Sequence, residues 1–427
     1  MATLSILNGR VIDPASNLDS VTDVHIADGK ILAISTVPPD FSAEQQIDAK
    51  DQIVCPGLVD LSVRLREPGA EHKGTILSET RAAAASGITT VCCPPDTNPV
   101  IDTPAVAELL QHRAIETGMA KVFPLAALTR GLKGEHLAEM GILKEAGCIG
   151  VSNVLPIVNT QVLRHALEYA ATCEMTVFLH AVDPWLGYHG CAHEGAISTR
   201  LGLLGIPETA ETIEVARDLL LIEMTGVRAH FCRLSTARAV SMIKEAQAKG
   251  LPVTADVSSH HLFLTDMDIN NYDSQCHVSP PLRAEHDKVG LREGLLQGNI
   301  NALCSDHQPH ETDAKLCPFA MTASGISALD SLLPLTLRFA EEMQIDLITA
   351  LGYVTYQPAQ ILGIEAGTLA IGNFADVCIF DPNSHWTLSP NNMHSIGHNS
   401  PFLGWDFKGK VSYTLINGKM VFGMLPK

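Results

Sequence analysis

The 427-residue sequence predicts an α/β protein, a (β/α)8 TIM-like barrel that carries a β-sandwich formed by both chain ends. Two observations predict it. Between residues 56 and 365, short apolar runs rich in β-formers take turns with helical segments, as a parallel barrel requires. The two ends instead share short alternating strands closed by turn dipeptides, and neither is long enough to bury a sheet by itself. Residues 1–55 plus 366–427 are therefore expected to pack as the sandwich, and 56–365 as the barrel.

Taken in order, Asn8-Gly9 and Asp28-Gly29 punctuate the N-terminal strands as hairpin signals. The barrel strands are expected near 89–93, 176–180, 228–234, 252–257 and 301–305. Thr103-Pro104 reads as an N-cap followed by a proline at the first helical position. Ile213, Ala216, Leu220 and Met224 lie on one helical stripe that stops near Gly226. Asn417-Gly418 then separates two closing strands, 411–416 and 419–422. Chemistry in such a barrel sits at the C-terminal ends of its strands, where His180, Arg233 and Asp306 fall.

The formal charge of -18 argues against nucleic acid or an anionic membrane as a partner. Eleven cysteines, with no Cys-x-x-Cys spacing, fit buried free thiols in a reduced, cytoplasmic protein. No signal peptide is expected after Met1, and no apolar run approaches the length of a membrane span. Neither a phosphate-binding glycine loop nor a Ser/His/Asp or Cys/His context is present, and no repeat or low-complexity tract interrupts the chain.

Many separated runs resemble bacterial dihydroorotases of the amidohydrolase superfamily. They include residues 56–69, Thr97-Asn98-Pro99-Val100-Ile101-Asp102, 194–216, 252–266, Pro280-Pro281-Leu282-Arg283, Asp306-His307-Gln308-Pro309-His310 and Asn399-Ser400-Pro401-Phe402-Leu403-Gly404. The resemblance implies the barrel of the amidohydrolase type, with a metal centre drawn from six positions. A His-x-His pair on the first strand would aim two nitrogens at one metal, because alternate residues share a face. Ser62 and Arg64 stand there. The bridging acid falls at Asn153, the first later histidine is His180, the second is replaced by Arg233, and the aspartate remains as Asp306. A catalytic zinc uses three protein ligands and an open position. Two survivors fall short, and two guanidinium charges oppose a dication. Arg64 or Arg233 is expected to fork onto Asp306.

By the same resemblance the substrate carboxylate would meet Arg66 and His310, whereas Asp96 and Ser279 replace two asparagines. The segment between Lys315 and Pro318 is shorter than the family's closing loop. The expectation is a chain without catalytic residues, metal or cofactor, acting as a noncatalytic structural subunit beside the aspartate carbamoyltransferase catalytic chain and self-associating as a dimer. Two alternatives stand: a cyclic amidohydrolase with one metal on His180 and Asp306, His310 completing the cluster, or an anion sensor using Arg64, Arg66 and Arg233. Structural roles are expected for His230 and for the adjacent His260-His261.

Overall fold

A computed structural model describes residues 3–39, 41–187 and 189–423, so both extreme ends of the expected sandwich lie outside the described residues. The N-terminal segment supplies β1 (Thr3–Asp13), β2 (Leu18–Ala27), β3 (Lys30–Ile34), β4 (Gln45–Asp48) and β5 (Ile53–Pro56). The middle supplies β6 (Leu58–Asp60), β7 (Ile88–Cys93), β8 (Lys121–Ala127), β9 (Gly150–Ser152) and β10 (Thr176–Leu179). A two-residue ribbon, β11 (Ala192–His193) with β12 (Gly205–Ile206), precedes β13 (Ala229–Phe231), β14 (Val253–Ser258) and β15 (Ala302–Cys304). The C-terminal segment adds β16 (Val377–Thr387), β17 (Asp406–Ile416) and β18 (Lys419–Phe422).

Eight parallel strands run in the order β15-β14-β13-β10-β9-β8-β7-β6, with helices between them, as the alternation of β-rich and helical runs predicts. The gap between β6 and β15 is stitched by residues 353–354, in the short link between the helices Leu347–Gly352 and Tyr356–Leu362. Val59 N–H donates to the carbonyl of Val354, and Leu303 N–H to that of Tyr353. The strands are nearly all apolar and buried on both faces, which is what a covered parallel sheet demands. Both chain ends join in a second sheet, β18-β17-β16-β5-β1-β2-β3, with β4 paired to β1. Its own apolar core draws on both ends, through Ile6, Val24, Ile47, Val377, Ile379 and Leu415 among others.

Two turn dipeptides do what their chemistry requires. Asp28-Gly29 and Asn417-Gly418 all take positive φ, the left-handed pair that a two-residue hairpin needs. Asn8-Gly9 does not close a hairpin. It sits inside β1 as a bulge, where the register against β2 shifts between Ile6 and Gly9, and a Cβ on Gly9 would lie 2.5 Å from Val54 Cγ2. Thr103 does cap the helix Pro104–Thr117 by position, but its side chain makes no capping hydrogen bond.

The helix Thr209–Thr225 ends at Gly226 in the left-handed region, as expected. Its apolar stripe faces the opposite way from a core helix: Ile213, Leu220 and Met224 are exposed, and Glu211, Glu214 and Asp218 are buried. The inward carboxylate of Glu211 accepts from the backbone N–H groups and hydroxyls of Ser235 and Thr236, which makes its burial tolerable.

Candidate functional site

The site is assembled where the first and last barrel strands meet. Asp60, at the end of β6, accepts the N–H groups of Ser62 at 3.2 Å and Ser305 at 3.0 Å through Oδ1. Beyond it, Val63 bridges to His307, Arg64 N–H donates to the His307 carbonyl and His307 N–H to the Ser62 carbonyl. Residues 62–64 are thereby laid beside 305–307. Ser62 and Arg64, two apart, both reach Asp306.

Asp306 is almost fully buried and fully engaged. Its Oδ1 accepts from Arg233 Nη1 at 2.9 Å, Ser62 Oγ at 3.2 Å and Arg64 Nη1 at 3.3 Å, and its Oδ2 from Gln308 Nε2 at 3.1 Å. Burial works against its ionisation, but the Arg233 and Arg64 charges outweigh that and hold its carboxyl below the ordinary range. The expected two-toothed fork is instead two guanidinium groups giving one bond each to the same oxygen. Arg64 is shared, because its Nε lies 2.7 Å from Asp96 Oδ2. Arg233 and Asp306 both hold left-handed backbone, φ 56° and 49°, a conformation that non-glycine residues keep only when neighbours enforce it. For Arg233 one enforcer is Asp256, whose Oδ1 takes its N–H at 2.5 Å.

His180 stands at the end of β10 with its Nδ1 buried and unpartnered. Burial first, then Arg233, pushes its pKa down to about 3, so the imidazole is neutral. Arg66 is a neighbour rather than a member: its Nε donates to the Pro309 carbonyl at 3.1 Å, and its Nη2 lies 3.1 Å from His310 Nε2. Burial and Arg64 together draw Arg66 down to about 10, and burial with Arg66 draws His310 to about 3. Asn153 is turned away, tied to Thr129 Oγ1 at 2.6 Å and to the carbonyls of Leu132 and Leu155. Ser279 is exposed and makes no side-chain bond to the cluster. Ser62, Arg64, Asp96, Arg233 and Asp306 therefore form one bonded network with His180 beside it, Arg66 and His310 form a second group, and Asn153 and Ser279 join neither.

Three further groups belong here. Gln308 completes the shell of Asp306, and Lys73 Nζ lies 3.3 Å from His310 Nδ1. Behind the site, His230 is fully buried, with Nδ1 2.8 Å from Thr254 Oγ1 and Nε2 3.0 Å from Asp256 Oδ2. Its donor atom, Cys232 Sγ and an Asp256 oxygen lie within 4.8 Å of one another, the spacing of groups that can gather round a metal ion. Sequence reading gives His230 a structural role and passes over Cys232, two residues on and just beyond β13, whose His-x-Cys spacing is the available signal. His180, Asp306 and His310 form no such group among the described residues. His260 and His261 are buried in the turn after β14, rings 4.6 Å apart, and burial keeps both neutral.

A family model described as dihydro-orotase-like matches residues 51–239. The chain is 51% identical over 419 residues to a "Dihydroorotase-like protein" of Pseudomonas aeruginosa, covering 98% of this chain and 99% of the relative. A protein of the same description from Pseudomonas putida is 49% identical over 422 residues, with 99% of both chains covered. A "Dihydroorotase" from a Geobacter species is 42% identical over 420 residues, covering 98% and 99%. Among solved structures, the L-hydantoinase (dihydropyrimidinase) of Arthrobacter aurescens superposes with a TM-score of 0.89 at 23% identity, over 100% of this chain and 98% of that one. That likeness establishes the barrel fold.

Proposed function

Because this chain belongs to the dihydroorotase-like family of the amidohydrolase superfamily, we propose that it is a noncatalytic member, kept as a structural subunit of an aspartate carbamoyltransferase assembly. One observation carries the proposal: the Asp306 carboxylate is already bound by Ser62, Arg64, Arg233 and Gln308. A hydrolytic metal in this family needs that carboxylate free, with three protein ligands around an open position. Guanidinium groups occupy the ground where cations would sit, and the remaining histidine, His180, does not make up the ligand count. The residues present do not fit a dihydroorotase metal centre. Without metal-activated water, the cluster of Ser62, Arg64, Arg233 and Asp306 has no source of the hydroxide that opens an amide ring.

What remains is a full barrel, a joined terminal sheet and an apolar helix face open to solvent at Ile213, Leu220 and Met224. Those are the assets of a subunit retained for its contacts. The carbamoyltransferase partner comes from the family resemblance and is tested directly. Affinity capture of the tagged full-length chain from its native organism is expected to bring down the carbamoyltransferase catalytic chain in equal amounts, and the purified chain with added zinc is expected to leave dihydroorotate intact. Turnover at a rate proportional to bound zinc, or capture of the chain alone at native levels, would overturn the proposal.

A second reading has one observation in its favour. Among the described residues Arg66 makes no ion pair, and its hydrogen bonds go to the Pro309 carbonyl and to His310. A guanidinium left without a carboxylate suits a small carboxylate or phosphate, making the chain an anion-sensing regulatory subunit. Calorimetric titration with orotate and with inorganic phosphate decides it. Saturable binding lost in Arg66→Ala would favour the sensor, whereas no heat from either ligand would leave the scaffold reading alone.

A further inference from the structure

Where β5 runs antiparallel to β16, the register sets Cys55 directly opposite Cys378. Residues opposed in this way put their side chains on one face of a sheet. Here that face is turned to the barrel: Ile53, Cys55, Cys378 and Phe380 belong to the main apolar core, whereas the alternate residues Val54, Val377 and Ile379 belong to the core of the terminal sheet. The N–H of Gly57 donates to the Asp376 carbonyl at 2.9 Å in the same register, which makes Cys55 and Cys378, two residues further along each strand, a hydrogen-bonded pair. The Cα atoms of such a pair stand about 5.5 Å apart, inside the span that a disulfide bridges.

The side chains close the remaining distance. One thiol of the pair donates to the other sulfur, and Gly87 leaves room for Cys378 Sγ, which would lie 2.5 Å from a Cβ there. Both cysteines are fully buried. The bond to Cys378, then burial, hold the Cys55 thiol well above its ordinary pKa, so little thiolate is available while the strands stay paired. Local opening of the pairing uncovers both sulfurs together, and each then has a resolving thiol beside it.

We propose that Cys55 and Cys378 are an oxidation site, a cross-strand disulfide that closes under peroxide and clamps the C-terminal strands to the strand from which the barrel starts. One thiolate attacks a peroxide oxygen; the O–O bond breaks, hydroxide leaves and the cysteine becomes a sulfenic acid. The second thiolate attacks that sulfur, so that the S–S bond forms, the S–O bond breaks and a second hydroxide leaves. The protons given up by the two thiols turn both hydroxides into water. The pair is thereby oxidised by two electrons and one peroxide is reduced. The closed link spans every strand and helix of the barrel, so it restricts the unfolded chain more than a local bridge would, and a thiol reductant reverses it.

Peptide mapping of the unaltered full-length chain after hydrogen peroxide tests this, with free thiols alkylated before digestion. A linked peptide carrying Cys55 and Cys378, lighter than its parts by two hydrogens, is expected, and it should form faster in urea well below the unfolding midpoint. In the oxidised chain the urea midpoint is expected to rise by about 1 M and to return with dithiothreitol. Cys378→Ser is expected to lose both the linked peptide and the rise. Cys55 and Cys378 recovered as alkylated thiols or sulfinic acids, linked to other cysteines instead, or linked without a rise in midpoint, would each overturn the proposal. If Cys378→Ser does not fold, the peptide map and midpoint of the unaltered chain decide it.

Discussion

At Asp306 two arginines are balanced by two carboxylates, Asp306 and Asp96, and removing one partner is costlier than the pair is stabilising. Asp306→Ala leaves two buried guanidinium groups facing each other and is expected to lose about 3 kcal/mol or more in urea unfolding. Asp306→Asn is expected to cost less, with a pH signature. The folded carboxyl lies below its ordinary value, so its contribution is present above the carboxylate range and is lost as pH falls through the depressed value. The gap in urea midpoint between the wild type and Asp306→Asn should therefore be widest near neutrality and narrow toward pH 3. Asp60 runs the other way. Burial raises it to about 7 against the bonds from Ser305 and Ser62, so its contribution is present at low pH and lost as pH rises through 7. Asp60→Asn should show its largest deficit in acid and little above pH 8. The identities of the cluster were legible from alternation on one strand and from the resemblance. The bonding was not, because Arg64 reaches Asp306 from a position 242 residues away and divides itself with Asp96, a matter of tertiary packing.

At the level of the element, the helix Thr209–Thr225 shows where pattern reading stops. Its apolar positions at 213, 216, 220 and 224 predict a helix correctly, yet the side they mark points to solvent. The buried face sets Glu211, Glu214 and Asp218 beside Val215 and Ile222, and it tolerates those carboxylates because Ser235, Thr236, Arg217 and Arg283 supply hydrogen bonds and counter-charge, partners that no periodicity within the helix announces. Leu220→Glu is accordingly expected to change stability by less than about 0.5 kcal/mol, since surface positions tolerate substitution. If this face docks on a partner, the same variant should lose co-purification. The pair of helices Ala237–Ala248 and Glu285–Leu296 gives the opposite case. A Cβ on Gly290 would come within 2.4 Å of Ala237 Cβ and 2.9 Å of its Cα. Gly290→Ala is expected to cost about 1–3 kcal/mol through overpacking, although glycine is a poor helix former. An unchanged melting temperature would contradict that close approach.

Over the whole molecule, the barrel and the joined ends were legible because each obeys one periodicity over many residues. Asn8-Gly9 misled because a left-handed residue such as Asn8 serves a bulge as well as a hairpin turn. The described helices include none long and apolar enough to cross a membrane. The eleven cysteines are unpaired, most of them buried, with Cys317 exposed. The two sheets are not independent bodies in energetic terms. The main apolar core takes in Ile12, Ile53, Cys55, Cys378 and Phe380 from the terminal strands, and Cys378 Sγ presses against Gly87 beside β7, 2.5 Å from where a Cβ would be. Hydrogen exchange should therefore give matching opening free energies for amides in β16 and in β7. Separate values, with the terminal sheet opening well before the barrel, would contradict a single cooperative unit.

Only Gly57 stands between β5 and β6, and β5 pairs on one side with β1 and on the other with β16. The opening stave of the barrel thus hangs from a strand whose second neighbour, β16, is translated only after the whole barrel. During synthesis, every barrel strand leaves the ribosome before residue 377 can lock that anchor. A nascent chain halted short of it would present β5 as a bare edge, a natural handle for chaperones and for quality-control proteases.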